Sequence, residues 1–354
     1  MKRAAKWAVA VLSLLLVLVI GFFAVATITE FRPKAIEPVT VKTLAGQANQ
    51  LRPGDQLTLI TFNIGYAGLG QDQDFFMDGG HMVQPPKPAV QTNLDGIYQI
   101  IAQNPAQVYF IQEVDVNSRR SYGIDQRARF DTLDYANSTF AFNFKSMFTP
   151  YPWPPIGKVQ SGLQTLTNTE VSQADRYALT VPFSWPVRLF NLKRCLLVQH
   201  VPLPGGQELV LINFHLEAYE SGEGRAKQLE ELISVMQAEF AQGNYVIAGG
   251  DFNSTLPGVD FPVVDTTWQP GTIQAADLPA GWSIANDPSA PTSRLNNHPL
   301  TGDLAQTQLF GIDGFITSPN VQVDTVTTLD QGFVFADHNP VKLTATLAVA
   351  STAT

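Results

Sequence analysis

The chain has 354 residues, of which 45% are hydrophobic and only 15% are charged, and this composition excludes an intrinsically disordered protein. Its single cysteine, Cys195, excludes an internal disulfide framework and a multi-cysteine metal site, and we expect a buried free thiol there. The formal net charge of −9 argues against a broad basic surface for nucleic acid, although a local basic groove is still allowed.

Residues 1–29 predict an N-terminal transmembrane anchor. Three basic residues precede an apolar stretch at residues 7–28, which is about the 20 residues that a helix needs to cross a bilayer. A cleaved signal peptide is the alternative, since Ala24-Val25-Ala26 has the A-x-A form, but the apolar region of a signal is usually about 7–15 residues long. In both cases the positive flank stays cytoplasmic, and the chain from about Glu30 onward lies outside the cytoplasmic membrane.

The exported part is acidic and is predicted to hold one large domain. It keeps 31 acidic and 19 basic side chains, because the anchor carries three basic residues and no acidic one, and its formal charge is −12. Residues 30–55 are rich in proline and show no periodicity, which predicts a linker. We expect the functional domain at residues 56–348 and a short tail at residues 349–354.

Six short β-rich segments share one feature, because each leads into side chains that carry a carboxylate, amide or imidazole group. The segments and their polar endings are Leu57–Phe62 with Asn63, Val108–Ile111 with Glu113, Leu209–Ile212 with Asn213 and His215, Tyr245–Ala248 with Asp251 and Asn253, Leu309–Ile312 with Asp313, and Phe333–Ala336 with Asp337 and His338. Six such endings predict one rim where polar groups converge. Residues 93–102 and 225–240 have helical apolar spacing, so two β-layers with helices outside are expected.

The side chains at these endings favour metal-assisted hydrolysis. Carboxylate and amide oxygens select Mg²⁺, Mn²⁺ or Ca²⁺ rather than zinc. The oxygen donors are Glu113, Asp251, Asp337, Asn63 and Asn253. Two histidines, His215 and His338, can donate protons near neutral pH, and no serine or cysteine nucleophile elbow accompanies them. This set predicts metal-assisted attack of water on phosphorus, with the metal polarising a phosphoryl oxygen and a carboxylate orienting or deprotonating the water.

In their order along the chain, these residues resemble the endonuclease/exonuclease/phosphatase superfamily, which includes DNase I-like nucleases, inositol-polyphosphate phosphatases and neutral sphingomyelinases. The matching stretches are Phe62-Asn63-Ile64-Gly65, Ile111-Gln112-Glu113-Val114-Asp115, Asn213-Phe214-His215-Leu216, Gly249-Gly250-Asp251-Phe252-Asn253, Gly311-Ile312-Asp313-Gly314-Phe315 and Asp337-His338-Asn339-Pro340-Val341. The resemblance covers residues 63–341. It implies an α/β fold of four layers, with two packed β-sheets flanked by helices, and Mg²⁺ as cofactor, with Mn²⁺ possible.

The same resemblance implies a metal site. Glu113 would be the main Mg²⁺ ligand, Asn63 would lie beside it, and Asp337 would lie near the ion. A strand at Ser161-Gly162 also resembles the superfamily, but it lacks the asparagine that often follows this glycine. One substrate contact is therefore not expected at this point of the chain.

The resemblance also implies the catalytic roles. Asp251 would orient or activate water, and Asn253 would bind phosphate. His215 would contact the phosphate or protonate the leaving group. His338 would support the phosphoryl oxyanion, held in place by Asp313.

Five further residues are candidates for substrate binding. Arg119 and Tyr122 follow Glu113 on a loop, Asn143 and Lys145 belong to an aromatic, proline-stiffened segment at 139–155, and Arg225 begins the second helix. Each has an alternative: a solvated loop, a packed insertion, or a surface ion pair. The aromatic segment could instead form a lip that faces lipid headgroups or a hydrophobic substrate.

The sequence therefore predicts a membrane-anchored metal-dependent phosphoesterase that acts outside the cytoplasmic membrane on a lipid or small phosphoester. The bond cleaved is a phosphodiester or a phosphomonoester. An extracellular DNase I-like nuclease is the first alternative, although an exported charge of −12 does not help a protein bind a polyanion. The second is a non-catalytic module that binds a phosphorylated ligand or a protein. The expected partners are the phosphoester substrate and the membrane, with no obligate protein partner.

Overall fold

The computed structural model describes residues 2–220, 222–300, 302 and 304–349. The predicted tail at 349–354 lies outside the described residues except for Val349. Within the described ranges the α-helices are α1 (Lys2–Ile28), α2 (Lys87–Gln103), α3 (Gln126–Phe130) and α4 (Glu223–Phe240). The two helices expected from apolar spacing therefore form as α2 and α4, and both begin earlier than the spacing indicates.

Eighteen strands occur in the described part of the chain, and most belong to two sheets of seven strands each. In spatial order, the first sheet contains β1 (Ile36–Pro38), β7 (Gln173–Ala178), β8 (Cys195–Pro202), β9 (Glu208–His215), β10 (Tyr245–Asp251), β16 (Asp313–Thr317) and β13 (Ser283–Ala285). The second contains β17 (Val321–Thr328), β18 (Val341–Leu347), β3 (Gln56–Asn63), β4 (Val108–Asp115), β6 (Gly157–Thr167), β5 (Asn137–Thr149) and β2 (Lys42–Thr43). Two small ribbons pair β11 (Ser254–Thr255) with β12 (Gly271–Thr272), and β14 (Ser293–Arg294) with β15 (Leu309–Phe310).

The alternation of side chains along the strands explains the four layers. In β3, Leu57 and Leu59 pack between the two sheets, whereas Ile60 and Phe62 face the opposite side and pack against α2. The first sheet is covered on its outer side by α4, through Leu232 among others. Strands that are buried on both faces are expected to be apolar nearly throughout. The predicted α/β sandwich of two packed sheets flanked by helices is confirmed.

Strand direction brings the polar endings to one edge. β9 and β10 run parallel and end together, with Asp251 opposite His215. β16 runs antiparallel to β10, so its first residue, Asp313, lies opposite Asp251. In the second sheet, β18 runs antiparallel to β3 and starts close to Asn63, which ends that strand.

Three sequence expectations differ from the structure. Phe333–Ala336 forms turns rather than a strand, and Phe333 itself has φ of +55°. Asp313 begins a strand instead of ending one, because Leu309–Phe310 belongs to a small ribbon. The segment at 30–55, predicted as a linker, contributes β1 and β2 to the outer edges of the two sheets. Short edge strands tolerate proline, which is why their composition resembles that of a linker.

Helix α1 has no fully buried residue and is long and apolar enough to be a membrane span or a signal sequence. Cys195 is a buried free cysteine, as expected, and burial raises the pKa of its thiol to about 11.

Replacing Phe110 tests the interface between the sheets. The ring is fully buried there and packs near that of Phe315, with centroids 6.5 Å apart. We expect Phe110→Ala to lower the free energy of unfolding by about 3–5 kcal/mol, measured by urea denaturation of the full chain in mild detergent. Val263→Ala, at an exposed site, should change it by less than about 0.5 kcal/mol, and equal effects would contradict this packing.

Candidate active site

A pocket of about 500 Å³ opens at the edge where the polar strand ends meet. Seven of the eight residues predicted for catalysis and metal binding line it. They are Asn63, Glu113, His215, Asp251, Asn253, Asp337 and His338. The eighth, Asp313, lies next to the pocket and is hydrogen-bonded to His338. The structure therefore brings together all eight residues, from both sheets.

Asp251 lies at the centre of the polar groups. Its Oδ2 accepts a hydrogen bond from Asn63 Nδ2 at 3.0 Å and lies 3.4 Å from His215 Nε2 and 3.8 Å from His338 Nε2. Its Oδ1 accepts a hydrogen bond from the backbone N–H of Asn253 at 2.8 Å. Burial, followed by the charge of Asp313, raises the pKa of Asp251 to about 7. The carboxyl group is thus able to exchange a proton near neutral pH.

Two glycines allow β10 to deliver Asp251 at this depth. A Cβ on Gly250 would lie 2.0 Å from the carbonyl oxygen of Phe214 on the neighbouring strand. A Cβ on Gly249 would lie 2.6 Å from the ring of Phe315 between the sheets. The close backbone approach explains why both positions require glycine.

His338 and Asp313 form a buried pair, with His338 Nδ1 2.8 Å from Asp313 Oδ2. Burial alone would lower the pKa of His338, but the charge and hydrogen bond of Asp313, with Asp337 and Asp251 nearby, raise it well above its usual value. This shift favours the protonated form of His338, whose Nε2 faces the pocket.

His215 has the opposite tendency. Burial, together with the positive charge of Arg194, lowers the pKa of His215 well below its usual value. Arg194 also donates a hydrogen bond to the carbonyl oxygen of His215 at 3.2 Å. The Nδ1 atom of His215 is buried and has no hydrogen-bond partner among the described residues. The surroundings thus favour the charged form of His338 and the neutral form of His215.

Glu113 reaches the pocket through a distorted backbone. Its φ is +58°, and the register between β4 and β6 shifts between Ile111 and Val114. A non-glycine residue in this region is strained, and such strain is concentrated at functional sites. Asn63 Nδ2 donates to Glu113 Oε1 at 3.3 Å, while Asn63 Oδ1 accepts from the backbone of Gly65. In this orientation Asn63 is a donor, so a role as a metal ligand requires its amide to flip.

Asp337 carries an unsatisfied oxygen that fits a cation. Its Oδ2 accepts a hydrogen bond from Asn296 at 2.6 Å, whereas its Oδ1 is buried with no hydrogen-bond partner in the described part of the chain. Burial raises the pKa of Asp337 to about 6 although the positive charges of His338 and Arg294 oppose the shift, so the carboxylate still lacks full compensating charge. A divalent cation between Glu113 and Asp337 would supply that charge.

A second group could hold a metal by distance alone, because ligand atoms of Asp251, Asp313 and His338 lie within 4.8 Å of one another. However, His338 Nδ1 is already engaged by Asp313 at 2.8 Å. A protonated imidazole is also a poor ligand. The Glu113 and Asp337 side of the pocket, which offers oxygen atoms alone, therefore fits Mg²⁺ better.

The structure separates the five residues predicted to bind substrate. Asn143 lines the pocket, and Lys145 does not. Lys145 is exposed, and its ammonium group lies 5.2 Å from the ring centroid of Phe142. Asn143 lies beside Ser161, where β5 and β6 shift register, and both side chains face the pocket.

The other three are absent from the pocket lining. Arg119 donates to the carbonyl oxygen of Pro155, and Tyr122 donates to that of Pro85, so both hold neighbouring loops. Arg225 is buried, and its guanidinium donates to the carbonyl oxygens of Glu217 and Ala218. The hydrogen-bond donors of all three side chains are thus directed to backbone carbonyls rather than into the pocket.

Several pocket residues were missed by sequence reasoning. Arg120, rather than Arg119, lines the pocket, where it pairs with Asp115 and stacks on Tyr66 at 3.7 Å. Arg194 and Arg294 also line it. The adjacent arginines Arg119 and Arg120 indicated a positively charged loop in the sequence. Because the loop is irregular, side-chain alternation could not predict which of the two faces the pocket. The other two arginines lie in no motif.

The comparisons with known proteins agree with this arrangement. The model of the endonuclease/exonuclease/phosphatase family matches residues 60–338, and the chain belongs to this family. No curated protein sequence matches the chain.

Solved structures share the fold at low identity. An endonuclease/exonuclease/phosphatase from Beutenbergia cavernae is 19% identical, with a TM-score of 0.57 over 84% of this chain and 73% of that one. ANGEL2, described as a 2′,3′-cyclic phosphatase, is 13% identical with a TM-score of 0.53 over 90% of this chain and 100% of its own. A conserved protein of unknown function from Enterococcus faecalis is 17% identical with a TM-score of 0.51, over 82% and 99% of the two chains.

Removing the charge of Asp313 tests the buried pair. Asp313→Asn should lower the pKa of His338, because the carboxylate stabilises the protonated imidazole. The protonated form is then lost at a lower pH, and the alkaline limb of the pH–rate profile should move down by about one unit or more. The measurement is the pH dependence of kcat on bis-p-nitrophenyl phosphate. Asp260→Asn, at an exposed site outside the pocket, is the matched control, and an unshifted limb in Asp313→Asn would contradict the pairing.

Proposed function

We propose that this pocket hydrolyses a phosphodiester or phosphomonoester by metal-assisted attack of water, outside the cytoplasmic membrane, on a lipid or small phosphoester. The observation that carries the proposal is the position of Asp251. Its carboxylate lies within 3.8 Å of two imidazoles of opposite charge preference and within 3.0 Å of Asn63. Family membership supports hydrolysis of phosphoester bonds.

The metal-binding part of the proposal assigns Glu113 and Asp337 as ligands for Mg²⁺, or for Mn²⁺, with Asn63 beside them, where its Nδ2 donates to Glu113 Oε1. The unpaired Oδ1 of Asp337 supports this assignment. When bound there, a divalent ion supplies a Lewis acid that polarises a phosphoryl oxygen and offsets its negative charge.

Asp251 takes the role of orienting the water and accepting its proton. Its raised pKa makes it a stronger base than an ordinary aspartate, and Asn63 and the Asn253 backbone hold both of its oxygens in place. The side chain of Asn253 is itself fixed, because its Nδ2 donates to the carbonyl oxygen of Leu216 at 2.8 Å. A held carboxylate avoids the cost of reorganisation during the reaction.

The two imidazoles take different roles. His338 is held protonated by Asp313 and stabilises the developing charge on the phosphoryl oxygen. His215 favours its neutral form and binds the phosphate as an uncharged donor. A neutral imidazole retains one N–H, which is sufficient for a hydrogen bond.

The substrate class is supported by charge and by the pocket wall. A formal charge of −12 on the exported chain opposes a polyanion, whereas aromatic residues such as Phe76, Tyr151 and Phe190 line the outer pocket. A nuclease is the alternative, and its rate should fall steeply with salt, unlike that of an enzyme for a lipid or small phosphoester. A binding-only module would be expected to lack part of the residues predicted for catalysis and metal binding, whereas all eight lie together here.

Loss of the central carboxylate tests the activity. The full chain in mild detergent should hydrolyse bis-p-nitrophenyl phosphate with Mg²⁺ and stop when EDTA is added. We expect Asp251→Asn to lower kcat by about 10²–10⁴, because the base is lost while the shape is kept. The exposed Asp260→Asn is the control, and a wild-type rate in Asp251→Asn, or a rate insensitive to EDTA, would contradict the proposal.

The ligand assignment has its own test. Glu113→Gln keeps the size of the side chain but removes the charge that attracts the cation. It should raise the Mg²⁺ concentration for half-maximal rate by roughly tenfold or more. Glu170→Gln, at an exposed position, should leave that concentration unchanged. An unchanged Mg²⁺ dependence in Glu113→Gln would place the metal elsewhere.

A further inference from the structure

The end of helix α1 docks on the domain rather than leading away from it. Among the described residues of α1 only Phe22, Phe23, Ala26 and Thr27 are partly covered, and this spacing places them on one face of the helix. All other described positions of the helix are exposed. A helix attached through one short face at its C-terminal end leaves the rest of its length free to lie in a bilayer.

The contacts at this face are aromatic. Phe22 stacks on Phe190 with ring centroids 5.7 Å apart and meets the edge of Phe148 at 6.3 Å. Phe23 contacts Trp185 at 5.6 Å, and Trp185 Nε1 donates to Thr27 Oγ1 at 3.2 Å. These contacts combine ring packing with a hydrogen bond, which fixes orientation as well as distance.

An ion-pair cluster fixes the chain directly after the helix. Glu30 has an almost fully buried side chain and pairs with Arg188 at 3.3 Å, Lys193 at 3.4 Å and Arg32 at 2.9 Å. Residues 185–193 are thus held on both the apolar and the charged side. The same segment lines the catalytic pocket through Val187 and Phe190. The candidate membrane span therefore emerges beside the pocket entrance.

Exposed apolar side chains continue from this point around the entrance. We name them the rim patch: Met147, Phe148, Tyr151, Trp153, Trp185 and Val187. Trp153 is 89% exposed, Tyr151 70% and Met147 65%, which is unusual for side chains of this size in a water-facing position. Tyr151 also lines the pocket and contacts Phe76, whose ring centroid lies 6.2 Å away. The rim patch and the pocket wall thus form one apolar surface.

We propose that the rim patch lies in the membrane interface beside the chain's own anchor, and that the pocket takes its substrate, a phospholipid, from that same membrane leaflet. This inference rests on the proposed function of the pocket. We assign the membrane as the partner of the rim patch because the patch is continuous with helix α1, which has the length and composition of a membrane span. Tryptophan and tyrosine are the side chains that favour the level of the lipid headgroups.

The geometry divides the lipid between two parts of the pocket. The phosphate is bound by the polar end, where His338 and Asp251 lie, and the apolar part of the lipid lies along Phe76, Tyr151 and Phe190. A soluble phosphoester uses only the polar end. Changes in the rim patch should therefore lower the rate of hydrolysis of a lipid much more than that of a soluble substrate.

The first experiment uses the full chain in nanodiscs, one chain per disc, made of phosphatidylcholine, phosphatidylglycerol and phosphatidate. The double variant Met147→Ser/Trp153→Ser changes two rim residues that do not line the pocket. We expect the rate on nanodisc phospholipid, divided by the rate on bis-p-nitrophenyl phosphate, to fall by about tenfold or more, because two interfacial side chains are lost.

The matched control is Val349→Ser, which is 68% exposed and lies at the opposite edge of the sheets, after the end of β18. It should leave the ratio unchanged. An unchanged ratio in the rim variant, or hydrolysis of the soluble diester with none of these phospholipids, would overturn the inference. If the full chain hydrolyses neither kind of substrate, the proposed function fails instead.

A second experiment tests the membrane position without using activity. The chain's one cysteine, Cys195, is fully buried, so an environment-sensitive thiol dye can be directed to Trp153→Cys. The emission maximum of the dye should shift to shorter wavelength in nanodiscs, and spin-labelled lipid should quench its fluorescence. The same dye on Gln322→Cys should show the emission of an aqueous environment. This exposed position pairs with Thr346, near the end of β18 that lies away from the pocket.

With one chain per disc, a second copy cannot cover the rim patch. A dye at position 153 that reports water, as at position 322, would overturn the membrane position whatever the enzyme hydrolyses. A shift that appears only when several chains share a disc would assign the rim patch to contact between copies.

Discussion

The burial of negative charge is the constraint on which the active-site edge depends. Asp251, Asp313 and Asp337 are each almost completely buried within one small region, and a buried carboxylate is costly unless it is paired or hydrogen-bonded. Asp313 is compensated by the proton on His338, and Asp251 by Asn63 and a backbone N–H. Asp313 Oδ1 and Asp337 Oδ1 both lack a hydrogen-bond partner among the described residues, but Asp313 is paired with His338 through its other oxygen. The remaining charge deficit lies where a divalent cation would fit.

This constraint explains why the two histidines differ although both are buried. Both lie near Asp251, but the charge and hydrogen bond of Asp313 raise the pKa of His338, whereas burial and the positive charge of Arg194 lower the pKa of His215. The difference follows from neighbours on separate strands, not from the local sequence of either histidine. A site with one charged and one neutral imidazole can stabilise an oxyanion and bind a phosphate without accumulating excess positive charge.

The layers of the fold and the eight central site residues could be predicted from the sequence, because buried strands are apolar throughout and their polar endings are distinctive. The direction of β16 could not be predicted. Asp313 precedes its strand and still reaches the rim, since an antiparallel strand starts where its neighbour ends. The sequence pattern also could not predict which side chain of an irregular loop faces the pocket. Arg120 lines the pocket, whereas the predicted Arg119 does not. Long-range register decides such cases.

Helix α1 and the domain meet through residues 185–193, which also line the pocket, so the proposed anchor and the proposed active site share one segment. A tether that served only to hold the chain at a membrane would need no such contact. The shared segment places the C-terminal end of helix α1 beside the pocket.

The most direct test of the account follows the oxygen atoms of the reaction. The full chain with Mg²⁺ is allowed to hydrolyse bis-p-nitrophenyl phosphate in water enriched in oxygen-18, under single-turnover conditions. Attack of water on phosphorus predicts that the label enters the p-nitrophenyl phosphate product and not the p-nitrophenol. Label in p-nitrophenol, a product without label, or no turnover by the folded chain would contradict the mechanism centred on Asp251.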